Sequence, residues 1–192
     1  MLKNLILTTL TASFLASGAT IGFVPVNQNI NLGNITTVDV TIGALAQGQV
    51  IGAYDLRVLY TSTIINALSI SFLGGLGPVG GNLTSSSIAV AGQADAAEVS
   101  FASNATLAGL QATQPFSIFR IQFQGIGLGT SPLTFSVSPR VLSDGNGNAL
   151  ASTAVIASTG SITVQDGGVP EPGTWMLMAS GLGLLVLSRS RN

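Results

Sequence analysis

Short apolar runs in which large side chains alternate with polar ones recur along the middle of this chain, and they constrain its fold more than any other feature. Residues 116–124 (FSIFRIQFQ) place Phe119, Ile121 and Phe123 on one face of an extended segment and polar side chains on the other. Residues 50–60 (VIGAYDLRVLY) alternate in the same way. A period of two is typical of strands with one buried face, so both segments are predicted to be β-strands.

Nine segments of this kind are separated by stretches rich in Gly, Pro, Asn and Ser. The predicted strands are 29–41, 50–60, 68–73, 87–91, 98–102, 116–124, 133–142, 154–157 and 161–164. Helical character is confined to residues 104–111 (NATLAGLQ). This pattern predicts an all-β fold, an antiparallel nine-stranded sandwich in one domain.

Composition excludes several kinds of protein. The chain has no His and no Cys, so Ser-His-Asp and Cys-His catalysis, zinc centres built on these residues, and disulfides are all ruled out. Charged residues make up 7% of the sequence and the net charge is −1, which gives no electrostatic basis for binding nucleic acid. No cofactor is predicted from this composition.

The last 24 residues carry a composite signal. Val169, Pro170, Glu171 and Pro172 precede an apolar run of 14 residues, 174–187 (TWMLMASGLGLLVL), predicted to be a short transmembrane helix of about 21 Å. Arg189 and Arg191 form the basic end that completes the sorting motif. The positive-inside bias would hold this end in the cytoplasm. This order resembles a PEP-CTERM sorting signal, which implies processing by an exosortase-type enzyme in a Gram-negative bacterium that makes extracellular polysaccharide.

The first 19 residues are typical of a secretory signal peptide. Lys3 precedes the apolar run 5–15, and small residues at 16–19 place the predicted cleavage after Ala19. The chain is therefore divided into a signal peptide, 1–19, an exported body, 20–168, and a sorting segment, 169–192. The predicted route leads through a membrane-anchored intermediate to the cell surface or extracellular matrix.

The body resembles the cohesin family, a nine-stranded jelly-roll sandwich related to cellulose-binding modules. The resemblance rests on the segments 52–60 (GAYDLRVLY), 64–68 (IINAL), 119–123, 142–148 (LSDGNGN) and 160–164 (GSITV). The resemblance implies that the body is a binding module. This inference is by analogy, because a fold of this kind hosts several functions.

In cellulosomal cohesins an aspartate on the first of these strands faces the partner dockerin, and Asp55 matches it. An asparagine often stands two positions earlier, where this chain has Ala53, and the family's Tyr-Asp-Pro after the strand is Tyr60-Thr61-Ser62 here. The alternation of the strand makes Ala53, Asp55, Arg57 and Leu59 a candidate partner-binding face, on which Asp55 and Arg57 could pair with each other.

Two further constellations carry possible chemistry. Asp144, Asn146 and Asn148 have the alternate spacing of the first half of a calcium loop, but no acidic residue follows in 150–156, and a tight Gly/Asn turn explains the same residues. Glycoside hydrolysis needs two carboxylates, and Asp95 and Glu98 are the acidic pair closest in sequence within the body. No sequence motif surrounds this pair, and a solvated strand edge explains the same two residues.

Aromatic residues offer no obvious platform for sugars. Tyr54, Tyr60 and Phe123 are predicted to point into the core, and Trp175 lies in the sorting segment. Any glycan binding would therefore use Asn, Gln, Ser and Thr. The leading hypothesis is a non-catalytic matrix protein that binds extracellular polysaccharide, the alternative is a protein–protein interaction module, and a polysaccharide hydrolase is the third.

Overall fold

The structure, a computed structural model, describes residues 18–78 and 80–167. Within these residues no helix is long and apolar enough to cross a membrane. The predicted signal peptide up to residue 17 and the predicted sorting segment 169–192, with its membrane helix 174–187, lie outside the described residues.

The described residues form a sandwich of two β-sheets. Its strands are β1 (Ala19–Val24), β2 (Asn27–Asn31), β3 (Ile35–Gly43), β4 (Ile51–Leu59), β5 (Ile65–Phe72), β6 (Leu83–Ser87), β7 (Gln93–Val99), β8 (Phe116–Gly125), β9 (Gly129–Asp144), β10 (Val155–Ala157) and β11 (Gly160–Gln165). One α-helix, α1 (Asn104–Leu110), and two short 3-10 turns, Gly74–Leu76 and Ser152–Ala154, complete the secondary structure. The predicted all-β sandwich is confirmed.

A five-stranded sheet has the order β10-β1-β3-β8-β5, and a six-stranded sheet has the order β2-β11-β9-β4-β7-β6. Neighbouring strands are antiparallel except for β1 with β10 and β2 with β11, which are parallel. The N-terminal and C-terminal strands thus contribute to both sheets.

The predicted facing of the two central strands is confirmed. Phe119, Ile121 and Phe123 of β8 are completely buried, as are Leu56 and Val58 of β4. Because alternate side chains of a strand point to opposite faces, these residues form the layer between the sheets and leave their neighbours outside.

Eleven strands replace the nine predicted, because one predicted strand is divided and one further strand precedes it. Segment 29–41 becomes β2 and β3, which lie in different sheets. Gly33 between them has φ of +84°, a left-handed conformation that glycine adopts readily, and Asn34 N–H closes the turn on Asn31 C=O at 3.0 Å. The additional strand β1 precedes the first predicted one.

The predicted strands 87–91 and 98–102 are wrong, since the structure has β6 at Leu83–Ser87 and β7 at Gln93–Val99. All five residues of β6 (LTSSS) are exposed, so this edge strand has no apolar alternation for a sequence pattern to detect. Gly92, with φ of +82°, marks the turn before β7, and its C=O accepts the Tyr60 N–H at 3.0 Å.

The predicted helical segment is confirmed as α1, and one buried amide fastens it to the sandwich. Ser103 caps its N-terminus by accepting the Thr106 N–H. Gln111, directly after the helix, accepts the Ile51 N–H at 2.8 Å and donates to Ile51 C=O at 2.8 Å and Gly75 C=O at 3.2 Å. These contacts satisfy the backbone of β4 where the strand begins.

Glu98 is a buried carboxylate on the core side of β7. It accepts hydrogen bonds from the Tyr54 hydroxyl at 2.9 Å and from the Asn82 side-chain amide at 2.8 Å. The pKa of the Tyr54 phenol is raised far above its ordinary value of 10.0. Burial is the larger cause, and the neighbouring Glu98 carboxylate is the second. The phenol therefore stays protonated and donates to Glu98 throughout the neutral range.

We expect Gln111→Leu to lower the free energy of unfolding by about 2–3 kcal/mol, because it leaves the buried backbone groups of Ile51 without partners. Gln114→Leu is the matched control, since the Gln114 side chain accepts one hydrogen bond, from Leu45 N–H, in an exposed position. Urea denaturation of both variants measures the difference. Equal losses for the two would contradict the role assigned to Gln111.

We expect Tyr54→Phe to lower the free energy of unfolding by about 1–3 kcal/mol at pH 7, because buried Glu98 loses a donor. The raised pKa of Tyr54 means that its contribution is fully present below pH 10.0 and is lost as the pH rises above that value. The gap between wild type and Tyr54→Phe should therefore narrow above pH 10. Denaturation at pH 7 and between pH 9 and 11 tests this, with Tyr60→Phe as the control that removes the hydroxyl of another core tyrosine, which is not a hydrogen-bond partner of Glu98.

Candidate functional site

The outer side of the six-stranded sheet carries the candidate residues of β4. Ala53, Arg57 and Leu59 are half-buried and Asp55 is exposed, so all four lie on the outer face as predicted. Hydrogen-bonded neighbours extend this surface across four strands, in the order β9-β4-β7-β6. We call the outer surface of these four strands the β4 face.

The register of the strands shows which side chains share the β4 face. Its successive rows are Leu83, Val99, Ala53 and Ser143; Ser85, Ala97, Asp55 and Val141; Ser87, Asp95 and Arg57; and Gln93, Leu59 and Thr134. Three of the aliphatic residues are substantially exposed, namely Leu83 at 64%, Val99 at 44% and Val141 at 42%. The β4 face is therefore mixed in polarity and partly apolar.

Arg57 pairs with Asp95 on β7 and not with Asp55. The guanidinium donates to the two carboxylate oxygens at 2.6 and 3.1 Å, and the two residues are directly opposite each other in the sheet. The suggested pairing of Arg57 with Asp55 is therefore wrong, because the cross-strand neighbour is closer than a residue two positions along the same strand. Neither salt bridge of the described residues includes Asp55, which leaves its carboxylate available at the centre of the face.

An excursion of β9 borders the β4 face beside Arg57. Leu56 pairs with Arg140 and Val58 pairs with Phe135. On β4 only Arg57 lies between these two pairs, whereas on β9 residues 136–139 lie between them. The excursion exposes 82% of Val137. The sequence pattern predicts an ordinary strand over these residues, although Pro139 is a signal for the bulge, since Pro inside a sheet is confined to edges and bulges.

The acidic pair considered for hydrolysis is separated by the sheet. Asp95 lies on the outer face with Arg57, whereas Glu98 lies on the core side with Tyr54 and Asn82. An odd spacing of three residues in a strand puts the two side chains on opposite faces. These two carboxylates therefore cannot flank one glycosidic bond.

Asp144 folds its carboxylate into its own turn. It accepts the backbone N–H groups of Asn146 at 2.9 Å and Asn148 at 2.8 Å, and the Asn148 side-chain amide at 3.0 Å. Hydrogen bonds from Asn148 lower the pKa of Asp144 below its ordinary value of 3.8, and the bond from the Asn148 side chain has a larger effect than the one from its backbone N–H. With one carboxylate that is already hydrogen-bonded, this donor set does not fit the oxygen-rich shell that calcium prefers. Within 18–78 and 80–167, no group of three or more acidic side chains could hold a metal ion.

Next to this turn lies a cleft of about 310 Å³ between α1, the residues before β4 and the Asp144 turn. Side-chain amides line much of it, and these are Gln49, Asn104, Asn146 and Asn148. Asn104 donates to Asn146 at 3.0 Å, which joins the helix to the turn across the cleft. The cleft can offer hydrogen bonds to a polar, uncharged ligand.

The aromatic residues considered for sugar stacking lie in the core, as predicted. Tyr54, Tyr60 and Phe123 are exposed by 3, 9 and 0%. None of them can present a ring face to a polysaccharide.

Comparison with known proteins identifies the C-terminal signal and the fold. Residues 168–192 match the family described as the PEP-CTERM protein-sorting motif. This motif indicates an exported protein that is processed by exosortase. No curated protein matches the chain significantly.

Solved cohesin modules share the fold of the body. CaCohA2 from Clostridium acetobutylicum is 17% identical, covers 80% of this chain and 94% of its own, and superposes with a TM-score of 0.60. The seventh ScaB type I cohesin from Pseudobacteroides cellulosolvens is 16% identical with the same coverages and a TM-score of 0.58. A type I cohesin–dockerin complex from Clostridium thermocellum, Coh-OlpC-Doc435, matches at 9% identity, with 78% and 94% coverage and a TM-score of 0.60. The chain therefore joins a β-sandwich of the cohesin fold to a PEP-CTERM protein-sorting motif.

Proposed function

We propose that this protein is an exported, non-catalytic interaction module that holds a protein partner on the β4 face. The observation that carries the proposal is that the exposed Asp55 carboxylate lies opposite exposed Val141 and one row from exposed Val99 and Leu83 on the outer surface of one sheet. Such a combination provides apolar contact area around a single charge, which is the composition of a protein-binding surface.

The dimensions of the β4 face suit a helical partner. Four strands span about 14 Å between the outer backbones, and the four rows of side chains extend about 20 Å along the strands. A helix with its side chains is about 10 Å across, so one helix fits on this surface with room for contacts on either side. Solved cohesins of the same fold include one in complex with a dockerin, which supports this class of partner by analogy.

The sorting segment supplies the route by which the module is displayed. In this proposal the apolar run 174–187 holds the exported chain in the membrane as an intermediate, with Arg189 and Arg191 on the cytoplasmic side. Exosortase then cleaves near the motif at 169–172 and leaves the body at the cell surface or in the extracellular matrix of a Gram-negative bacterium.

A second candidate is the binding of extracellular polysaccharide in the amide-lined cleft. The cleft beside the Asp144 turn favours it, because Gln49, Asn104, Asn146 and Asn148 can both donate to and accept from sugar hydroxyls. The cleft has no aromatic residue in its lining, so affinity would depend on hydrogen bonds that compete with water. This role would use a surface different from the β4 face.

We expect Asp55→Lys to weaken partner binding by about tenfold or more, because it replaces the central negative charge with a positive one. The partner is isolated from the host's extracellular fraction on the immobilised body, residues 20–168, and its affinity is then measured by calorimetry. Arg120→Ala is the matched control, since Arg120 forms the corresponding surface pair with Asp39 on the outer side of the five-stranded sheet. Equal effects of the two substitutions would argue against the β4 face.

We expect Asn104→Ala with Asn148→Ala to reduce co-sedimentation with the host's own polysaccharide at least about threefold, if the cleft binds glycan. Asp55→Lys should leave co-sedimentation unchanged, because it lies on another surface. Co-sedimentation of wild type that is undetectable, or unaffected by the double substitution, would remove the second candidate.

We expect Asp144→Ala to destabilise the body at neutral pH without any change in response to calcium, because the carboxylate serves its own turn. Since the pKa of Asp144 is lowered on folding, its contribution is present above pH 3.8 and is lost as the pH falls through the folded-state value. Thermal unfolding at pH 7 and pH 3, with and without calcium, should show the variant and wild type converging in acid. A calcium-dependent rise in wild-type melting temperature that Asp144→Ala abolishes would make Asp144 a metal ligand.

A further inference from the structure

One end of the sandwich is apolar, and it is the end from which the chain leaves toward its sorting segment. β11 ends at Gln165, and the loops next to it expose four large aliphatic residues. Their exposed fractions are 47% for Leu32, 53% for Ile35, 49% for Ile126 and 58% for Leu128. We call this surface the tail-side end.

Hydrogen bonds bring these loops together around the last strand. The Leu32 N–H donates to Gln165 C=O at 2.8 Å, and the Gly33 N–H donates to Gly125 C=O at 2.8 Å. Leu128 precedes Gly129, which pairs with Val164 of β11. The exposed aliphatic side chains therefore belong to one surface and are not scattered over the molecule.

The tail-side end has little charge. Residues 27–38, 61–65 and 121–134, which supply its loops and strand ends, contain no Asp, Glu, Lys or Arg. The charged residue at this end is Asp166, which is exposed and directly follows β11. A surface of this composition loses little when it leaves water for the boundary of a neutral bilayer.

The sorting segment keeps this end close to any membrane that holds the apolar run. Residues 166–173 are the whole connection between β11 and the run that begins at residue 174, and fully extended they span at most about 30 Å. The opposite end of the sandwich, with Asp144, is at the far end of β9. The tail-side end is thus the part of the body nearest the lipid.

We propose that the tail-side end docks on the lipid bilayer while the chain is anchored, with Leu32, Ile35, Ile126 and Leu128 at the boundary between headgroups and acyl chains. This inference rests on the membrane-anchored intermediate of the proposed function. Docking orients the strands approximately along the membrane normal, so the Asp144 turn, at the other end of β9, points away from the bilayer and the β4 face remains accessible from the side. It also keeps the cleavage motif at 169–172 beside the membrane.

The chain has one tryptophan, Trp175, and no cysteine, which allows two independent reporters. The protein is purified from a strain of its host that lacks exosortase, so that it keeps its sorting segment, and is placed in phosphatidylcholine nanodiscs at one copy per disc. Nitroxide-labelled phosphatidylcholine then quenches Trp175, which reports insertion of the run 174–187. A fluorophore on Leu128→Cys reports docking of the body, and a fluorophore on Phe101→Cys reports the opposite end, where 72% of Phe101 is exposed.

We expect the nitroxide lipid to quench Trp175 and the Leu128→Cys label, with quenching of the latter at least about fivefold greater than that of the Phe101→Cys label, because docked loops reach about 5–10 Å into the boundary. Leu32→Ser with Ile126→Ser should reduce quenching of the Leu128→Cys label at least about threefold and leave Trp175 unchanged. The control is Val137→Ser, which removes an aliphatic residue from the β9 excursion that is more exposed, at 82%, than Leu32 or Ile126, and it should have no effect.

Two results would overturn the inference, and they differ in what they say of the proposed function. Quenching of Trp175 with equal, low quenching of both body labels would show that the chain is anchored but the body does not dock. An absence of Trp175 quenching would overturn the anchored intermediate itself, and docking with it.

Discussion

Aromatic contacts between the two sheets hold this sandwich together. Tyr54 of β4 stacks on Phe119 of β8 with ring centroids 5.7 Å apart, and Tyr60 meets the edge of Phe123 at 5.3 Å. A third pair, Phe23 and Phe135, stacks at 4.5 Å between β1 and β9. Because the chain has no cysteine, packing of this kind has to fix the relative position of the sheets without disulfides. The tail-side end depends on that position, since its loops connect strands of the two sheets.

The same inward packing explains where the few charges lie. With the large side chains of β4 and β8 directed inward, alternation places Arg57 and Arg120 outside, and each pairs with an aspartate on the neighbouring strand. Glu98 faces the core, and there Tyr54 and Asn82 supply the donors that a buried carboxylate requires. Asp55 takes part in neither salt bridge of the described residues.

The two ends of the sandwich differ in polarity. One end has the amide-lined cleft and the self-bonded Asp144 turn, which interact well with water. The other end has apolar loops around the end of β11, from which the chain continues toward the sorting segment. The proposed docking and partner surfaces lie on different parts of the body, since the β4 face is the outer side of one sheet and loops form the tail-side end.

The sequence by itself determined the all-β class, the inward and outward faces of β4 and β8, helix α1 and the sorting motif, since each follows from local periodicity or a contiguous motif. It failed at β6, whose exposed Leu-Thr-Ser-Ser-Ser has no alternation, and at the division of 29–41, where Gly33 transfers the chain to the other sheet. It also could not pair Arg57 with Asp95, because cross-strand register joins residues 38 positions apart. The wrong bounds predicted for β7, 98–102, left Asp95 outside the strand and so did not show that Asp95 and Glu98 lie on opposite faces. Only the tertiary structure decided which side chains share the β4 face and the tail-side end, since long-range strand pairing brings residues from distant segments onto one surface.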